Sequence, residues 1–318
     1  MLRFGLQIPS FTYPRVADSE LFDRVAEIAV TAEQAGFDSV WVMDHFYQIP
    51  NVGARTEPML ESYTLLGGIA ARTSRATLGT MVTGVTYRNP AHLAKIVTTL
   101  DIVSSGRAIL GIGAAWNEDE HKGLGFEFPP AGERLGRLEE AIQICRAMFT
   151  QEEATFQGRH YRVDGALNFP RPVRPGGIPI LVGGSGERRT LRLVAKYADA
   201  CNFFGDVATI RHKLEVLARH CEDVGRDPTQ ITKTRLGTLV IAGTQAEARR
   251  KAEAHWERRG VIEAWRTSYI VGDPDSVAEQ ARAYFDAGLD GLLFNMPDAY
   301  DLESVALAGK ALTSAFPG

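Results

Sequence analysis

An acid and an imidazole stand side by side where one apolar run of the sequence ends. The run is Val40–Met43, and Asp44 and His45 follow it directly. An imidazole with a pKa of about 6.5 can donate or accept a proton near neutral pH, which makes His45 a candidate acid–base catalyst. A loop whose histidine only binds a backbone carbonyl would contain the same residues. The choice between these interpretations depends on the elements that position the pair.

The second candidate site is a glycine-rich turn. Gly183-Gly184-Ser185-Gly186 follows the apolar run Ile178–Val182, and we expect a helix to begin directly after the turn. Amides at the start of a helix, together with a serine hydroxyl, can bind an anion such as a cofactor phosphate. The alternative is a tight turn that needs glycine only for its geometry. No Lys-Ser or Lys-Thr pair follows, so the turn is not a Walker loop.

Small residues and a tryptophan follow another apolar run, Ala108–Ile112. They are Gly113, Ala114, Ala115 and Trp116. The glycine spacing matches part of the dinucleotide-binding fingerprint, but the third glycine is missing and the match is incomplete. The indole of Trp116 either stacks on a cofactor or substrate or packs beneath a loop.

No cluster of residues favours a bound metal or a covalent nucleophile. The segment 117–121, which reads Asn-Glu-Asp-Glu-His, is more typical of a solvated acidic helix start than of a metal site. The first apolar run lacks the His-x-His pair of barrel metallohydrolases, and the chain has no Gly-x-Ser-x-Gly elbow. An anion-binding turn, one imidazole and loops of small and aromatic residues suit a flat organic cofactor instead.

The remaining histidines carry less weight as site residues. Four of them lie on helical patterns and are typical of surface or satisfied core positions, namely His92, His212, His220 and His255. His121 and His160 could approach the site only if an insertion closed over it as a lid.

Eight apolar or β-branched runs alternate with helical patterns along the chain. They are Phe4–Ile8, Val40–Met43, Thr77–Val82, Ala108–Ile112, Ile178–Val182, Ala200–Phe204, Leu236–Ile241 and Gly291–Asn295. This alternation predicts a parallel sheet flanked by helices, and at 318 residues we expect an α/β fold closed into a (β/α)₈ TIM barrel. Active sites of such barrels lie at the C-terminal ends of the strands, where both candidate sites fall.

No linker or shift in composition marks a second domain, so we expect a single domain over residues 1–318. Two irregular stretches, about 48–61 and 151–177, are longer than ordinary connections. Long loops inside a compact domain are often lids or binding loops. We expect both to be insertions at the C-terminal face of the strands, over the mouth of the barrel.

Composition excludes several classes of function. The net charge of −4, from 35 basic and 39 acidic residues, gives no electrostatic footprint for nucleic acid or an anionic membrane. The N-terminus lacks a signal-peptide pattern, and no apolar run approaches the ~20 residues of a membrane span. The three cysteines have no close pairing and are typical of free thiols in a reducing cytoplasm. We therefore expect a cytoplasmic protein that acts on a small molecule.

Several motifs in order make the chain resemble the luciferase-like monooxygenase superfamily, and most of all its deazaflavin-dependent branch. The motifs are Phe4-Gly5-Leu6, Trp41–Phe46, Leu78–Thr83, Arg88–Ala91, Ser105–Arg107, Gly111–Asn117 and Val182–Gly186. The resemblance spans nearly the whole chain. It implies a TIM barrel that uses coenzyme F420 or, in other branches, flavin mononucleotide (FMN).

The same resemblance implies roles for individual residues. A non-prolyl cis peptide at Met81–Val82 would back the ring, in a bulge at the end of the third strand. His45 and Asp44 match the acid–imidazole pair beside the hydride-accepting ring carbon, with Trp116 beside the substrate or ring. The implied cofactor-binding residues are Met81, Val82, Thr83, Gly113, Ala114, Gly183, Gly184, Ser185 and Gly186, the last four around the phosphate.

One departure bears on the substrate. Deazaflavin dehydrogenases that oxidise sugar phosphates carry a catalytic glutamate just beyond the fourth strand, where this chain has Ala115-Trp116-Asn117. This difference argues against that substrate class, and we expect Glu118, on the helix start, to face solvent. Two alternatives remain open: an FMN-dependent monooxygenase that uses reduced flavin and oxygen, and a cofactor-binding protein without catalysis. The resemblance also implies a homodimer.

Overall fold

Twelve strands and eleven helices are present in the computed structural model, which describes residues 2–50 and 52–317. The strands are β1 (Phe4–Ile8), β2 (Ser39–Val42), β3 (Thr77–Thr80), β4 (Thr83–Gly84), β5 (Ala108–Gly113), β6 (Glu153–Gln157), β7 (Arg162–Leu167), β8 (Ile180–Gly183), β9 (Ala200–Phe203), β10 (Thr232–Ile241), β11 (Ile270–Gly272) and β12 (Gly291–Asn295). The helices are α1 (Leu21–Ala35), α2 (Ser62–Arg72), α3 (Pro90–Val103), α4 (Glu118–Leu124), α5 (Ala131–Thr150), α6 (Thr190–Tyr197), α7 (Val207–Val224), α8 (Gln245–Arg259), α9 (Glu263–Arg266), α10 (Pro274–Asp286) and α11 (Leu302–Ala315).

Eight of the strands close into a barrel, which confirms the predicted (β/α)₈ architecture. The order is β1, β2, β3, β5, β8, β9, β10 and β12, and β12 pairs back with β1. Every pairing around the barrel is parallel. All C-terminal strand ends therefore meet at one face.

Local sequence signals set the ends of the helices. Asn89 accepts hydrogen bonds from the first amides of α3, and Pro90 takes the first helical position. Gly36 ends α1 with a φ of +99°, a left-handed conformation that glycine adopts without a steric penalty. Asp273 and Pro274 start α10 in the same way as Asn89 and Pro90 start α3.

Apolar side chains pack in two layers. A small cluster inside the barrel includes Trp41, Met81 and Leu293, and a larger one fills the space between barrel and helices. The three cysteines are free, as the sequence predicted, and all three are buried. Within the part of the chain that the structure describes, no helix is long and apolar enough to span a membrane.

The first insertion lies on the rim of the barrel mouth, as predicted. Glu57 accepts a hydrogen bond from Thr12, which follows β1, at 2.9 Å and lies 3.6 Å from Arg259 at the end of α8. Arg55 pairs with Asp119 in α4. The segment thus joins the connections that follow β1, β5 and β10.

The second insertion corrects the expectation that both cover the mouth. Its β6–β7 hairpin packs on α5, and its later part follows α3, where Asp101 accepts from Val173 N at 2.8 Å. Arg174 reaches the Gly106 carbonyl, before β5, at the opposite face of the barrel. The hairpin satisfies its own backbone and buries Ala154 on the helix layer, so it flanks the barrel. The Tyr161 hydroxyl, in this hairpin, lies 3.5 Å from the Val85 carbonyl and approaches the C-terminal face.

Candidate active site

The side chain of His45 lies just beyond β2 and is held by a buried carboxylate. Its Nδ1 atom lies 2.6 Å from Oε1 of Glu120, which is on the first turn of α4 and fully buried. The other carboxylate oxygen accepts the amides of Phe46 and Tyr47 at 2.8 and 3.3 Å, and the Tyr87 hydroxyl donates to Oε1. Four donors thus converge on one buried carboxylate.

The charge state of Glu120 determines which histidine nitrogen is free. Burial favours the neutral acid, but hydrogen bonds from His45, Tyr87 and the Phe46 amide outweigh it and lower the pKa of Glu120 below its ordinary value. An ionised carboxylate only accepts, so Nδ1 of His45 donates to it. The remaining ring nitrogen, Nε2, has no partner among the described residues and can exchange a proton with a substrate.

Trp116 forms an exposed wall beside the imidazole. The two rings meet edge to face with centroids 5.5 Å apart, and the tryptophan is 59% exposed. A large exposed aromatic surface next to His45 is available to pack against a ligand. Trp116 is not covered by a loop in this structure, and its stacking on a cofactor or substrate stays a prediction.

Asp44 does not orient the histidine, because successive side chains at a strand end point to opposite sides. Its carboxylate binds both terminal nitrogens of Arg88, at 2.8 and 3.0 Å, and accepts from Ser62 Oγ at 2.7 Å and Gly84 N at 3.1 Å. Asp44 thereby joins β2 to β4 and α2. The carboxylate that contacts His45 is that of Glu120.

Glu120 is the residue that sequence reasoning missed. The acidic segment does start a helix, since Asn117 accepts from Asp119 N, and Glu118 and Asp119 are exposed as expected. Glu120 and His121 face inward, which corrects the expectation of a wholly solvated segment. The signal was the helix period itself, because one side of a helix that lies on a barrel must be buried.

His121 and His160 lie outside the pocket. His121 is buried with Nδ1 against the Asn117 carbonyl at 2.6 Å and Nε2 against Thr86 Oγ1 at 2.7 Å. His160 lies in the turn of the β6–β7 hairpin, next to Gly136 of α5. Neither histidine therefore belongs to the site around His45.

The end of β3 has the predicted cis peptide, between Met81 and Val82. Met81 packs inside the barrel, and its carbonyl accepts from Gln7 at 3.3 Å. Val82 lies against Gly113 and Gly183: a Cβ added to either glycine would come within 2.7 Å of a Val82 methyl. Val82 and the cis peptide before it form a platform at the end of β3. A side chain larger than hydrogen is excluded at both Gly113 and Gly183, on either side of this platform.

Thr83 supports the platform from behind. Its hydroxyl lies 2.7 Å from the Tyr63 hydroxyl and 2.6 Å from Thr80 Oγ1, and all three groups are buried. Thr80 also donates to the Gly111 carbonyl at 3.0 Å. The network fixes the end of β3 against β5.

The glycine-rich turn leaves a hydroxyl without a partner. β8 ends at Gly183, Gly184 has a φ of +122°, and Ser185 Oγ is buried with no hydrogen bond to any described residue. Buried polar groups normally have partners, so this orphan indicates a ligand. A phosphate would supply the acceptor, and the glycines allow close approach. The residues present therefore fit an anionic group of a cofactor.

The helix after this turn begins later than predicted, at Thr190. The intervening Glu187 turns outward and binds Lys213 at 2.5 Å and His212 at 3.0 Å, both on α7. These contacts hold residues 187–189 as a turn. Within residues 2–50 and 52–317, no cluster of histidine, cysteine or acidic side chains could hold a metal.

Comparison with known proteins adds three findings. The model of a family described as luciferase-like monooxygenase matches residues 2–291. An F420-dependent glucose-6-phosphate dehydrogenase from Nakamurella multipartita is 30% identical, over 96% of this chain and 96% of that protein. Another of that name, from Kineococcus radiotolerans, is 31% identical over 86% of this chain and 87% of that protein.

A solved structure agrees with the fold. The coenzyme F420-dependent tetrahydromethanopterin reductase from Methanopyrus kandleri superposes with a TM-score of 0.81 at 18% identity, over 99% of each chain. At that identity the likeness concerns the architecture alone.

Proposed function

The chain belongs to the luciferase-like monooxygenase family, and we propose that it is an oxidoreductase that transfers a hydride between coenzyme F420 and a small organic substrate. The observation that carries this proposal is the imidazole of His45, held on one side by Glu120 and free on the other, at the barrel mouth. The names of its relatives support the choice of cofactor.

His45 serves as the acid–base group in this proposal. A substrate alcohol loses a hydride from carbon and a proton from oxygen, and becomes a carbonyl compound. When bound, a deazaflavin would supply the ring carbon that accepts the hydride, and Nε2 of His45 would accept the proton. The Glu120 carboxylate stabilises the resulting imidazolium, as a buried acid does in a catalytic triad. In the reverse direction His45 returns the proton.

The cofactor-binding residues divide into two groups. Val82, Gly113 and Ala114 would face the ring, while Met81 and Thr83 hold the end of β3 in place. The turn Gly183, Gly184, Ser185 and Gly186 would bind the phosphate through its amides and the orphan hydroxyl. Asp44 acts as a positioning residue through its contacts to β4 and α2.

We propose a neutral alcohol or carbonyl compound as the substrate. Three arginines around the mouth are already paired with acids: Arg88 with Asp44, Arg55 with Asp119, and Arg259 with Glu57. Charges that are committed to protein acids are poorly placed to bind a phosphate ester. The alanines at 114 and 115 and the exposed Trp116 favour an apolar contact instead.

The assembly and location complete the proposal. Three exposed apolar side chains cluster at the end of α3, namely Ile102, Val103 and Val173. They suit the interface of a homodimer, which light scattering would detect. Free buried cysteines suit the cytoplasm.

The test is anaerobic turnover with a series of alcohols. Loss of the visible absorbance of deazaflavin would be followed with a neutral secondary alcohol, a primary alcohol and glucose 6-phosphate. Reduction by a neutral alcohol in the wild type and not in His45→Asn supports the proposal. Oxygen uptake with reduced FMN, without deazaflavin reduction, would move the protein to the monooxygenase alternative. Cofactor binding without either reaction would leave the non-catalytic alternative.

A further inference from the structure

We infer that Tyr87 is a positioning residue of the acid–base site, whose hydroxyl shares one oxygen of the Glu120 carboxylate with His45 and so limits how strongly that carboxylate stabilises the imidazolium. This inference rests on the proposed function. It assigns a role to a tyrosine that belongs to none of the site motifs in the sequence. The effect lies in the protein itself and can be measured without a bound cofactor.

The ring of Tyr87 is held in place without help from its hydroxyl. The residue lies between β4 and α3, and its amide donates to the Gly84 carbonyl at 3.1 Å. Its ring packs edge to face on Phe46, with centroids 5.0 Å apart, and lies 4.8 Å from the ring of His121. A phenylalanine at this position would therefore keep the same packing.

The hydroxyl of Tyr87 donates to Oε1 of Glu120, the oxygen that also accepts from Nδ1 of His45. Burial raises the pKa of the phenol above its ordinary value, and the neighbouring Glu120 carboxylate raises it further. The phenol therefore keeps its proton and remains a donor near neutral pH. Within the described part of the chain, no hydrogen bond or aromatic contact joins Tyr87 to His45, so its influence on the imidazole passes through Glu120.

The two oxygens of Glu120 have different tasks. Oε2 accepts the amides of Phe46 and Tyr47 at 2.8 and 3.3 Å, and these bonds hold the carboxylate in place. Oε1 is divided between the imidazole and the phenol. A donor that stabilises a carboxylate also makes it a weaker base. Loss of the Tyr87 hydroxyl should therefore strengthen the bond from Glu120 to His45 without freeing the carboxylate to turn.

The shared oxygen matters because a general acid–base group has to release its proton as well as take it up. Such a group works best when its proton affinity matches the working pH. A carboxylate oxygen bound to the imidazole alone would favour the imidazolium form more strongly. The second donor moderates this attraction and keeps both protonation states of His45 accessible.

Other ionisable groups beside this network have partners of their own. Arg88 pairs with Asp44 at 2.8 Å. Both nitrogens of the His121 ring lie against neutral groups, at 2.6 and 2.7 Å. The exposed side of α4 carries two further pairs, namely Asp119 with Arg55 and Glu118 with Lys122. Loss of one phenol hydroxyl leaves these partners in place, so a change in the titration of His45 reports the shared oxygen.

The experiment is an NMR titration of histidine-labelled apo-protein. The ring signal of His45 is assigned by its loss in His45→Asn. In Tyr87→Phe we expect the pH midpoint of that signal to rise by about 0.5–1 unit relative to the wild type. Tyr161→Phe is the matched control, because its hydroxyl lies 3.5 Å from the Val85 carbonyl on the same face and does not donate to Glu120. Its midpoint should equal that of the wild type.

The pH profile of turnover gives the second readout. Oxidation of an alcohol needs the neutral imidazole as base, so the rise of kcat/KM with pH should move upward in Tyr87→Phe by the same amount as the NMR midpoint. In a Glu120→Gln background the tyrosine replacement should leave the midpoint unchanged, because the carboxylate charge is gone.

Three outcomes would overturn the inference: an unchanged or lower midpoint in Tyr87→Phe, an equal rise in Tyr161→Phe, or an equal rise in the Glu120→Gln background. A raised midpoint in the apo-protein, together with no reduction of deazaflavin by any alcohol, would support the inference and remove the proposed function.

Discussion

At the scale of single residues, the site is organised around one histidine with one nitrogen committed and one free. Glu120 holds Nδ1 of His45, and the amides of Phe46 and Tyr47 hold Glu120. The arrangement fixes the ring and leaves Nε2 without a partner among the described residues. The proposed chemistry depends on this asymmetry.

Replacement of His45 should separate chemistry from binding. We expect His45→Asn to lower the rate of hydride transfer by about 10²- to 10⁴-fold, the usual contribution of a general acid–base group. Affinity for the cofactor should change little, since the glycine-rich turn is intact. Single-turnover kinetics and a fluorescence titration would measure the two quantities; a loss of affinity alone would contradict the assigned role.

Replacement of Glu120 should cost stability by an amount that depends on pH. At neutral pH we expect Glu120→Gln to cost about 2–4 kcal/mol of unfolding free energy, because the buried network loses its charge and one of its two acceptor oxygens is replaced by a donor NH2 group. The pKa of Glu120 lies below its ordinary value of 4.5 in the folded protein. The carboxylate therefore stabilises the fold above that pH, and its contribution is lost as the pH falls through the lower folded-state pKa.

The pH dependence is measured by urea unfolding of wild type and variant from neutral to acidic pH. The difference in unfolding free energy should be largest near neutrality and shrink below pH 4.5. Glu118→Gln is the matched control, since its partner Lys122 is 73% exposed and such pairs contribute little. A pH-independent difference for Glu120→Gln would show that the carboxylate is not ionised in the folded state.

At the scale of elements, the ends of β2, β3 and β8 could be predicted from the sequence. The residues that pack against those ends from other elements could not. Apolar runs followed by polar or glycine-rich residues indicated the strand ends and hence His45 and the glycine-rich turn. The inward direction of Glu120 depends on how α4 packs on the barrel, and single-sequence patterns do not record that packing. The path of the second insertion likewise depends on tertiary contacts to α3 and α5.

The buried pair between Asp44 and Arg88 should stabilise the end of β2. We expect Arg88→Met to cost about 3–5 kcal/mol, because it leaves the Asp44 carboxylate buried without its cation. Arg55→Met is the control: Arg55 and Asp119 are each 57% exposed, and exposed pairs contribute about 0–1 kcal/mol. Equal losses for the two variants in chemical denaturation would refute the structural role of Asp44.

The platform beside Val82 should not tolerate a methyl group. In Gly113→Ala the new Cβ would lie 2.7 Å from Val82 Cγ2, so the valine must shift and cofactor affinity should fall. Gly67→Ala, on α2, is the matched control, because nothing lies within 4 Å of its Cβ. That variant should gain up to about 1 kcal/mol of stability from helix propensity and bind cofactor normally. Fluorescence titration and thermal unfolding would test both, and unchanged affinity in Gly113→Ala would place the ring elsewhere.

At the scale of the whole molecule, the barrel brings together residues that are far apart in sequence. Four strands are successive around the barrel, namely β2, β3, β5 and β8. They are followed by His45, Val82, Trp116 and the glycine-rich turn at 183, in that order. The parallel order of those strands could be predicted from the alternation of apolar runs and helices. The first insertion then joins three connections across the rim through Arg55 and Glu57, a geometry that its irregular composition did not reveal.

The central claim is that this barrel binds a deazaflavin, and paired titration of the apo-protein tests it most directly. Coenzyme F420 and FMN would be added separately, with quenching of the fluorescence of each ligand as the signal. The structure and family lead us to expect micromolar or tighter binding of F420 and weaker binding of FMN. Tighter binding of FMN, or binding of neither ligand, would contradict the claim.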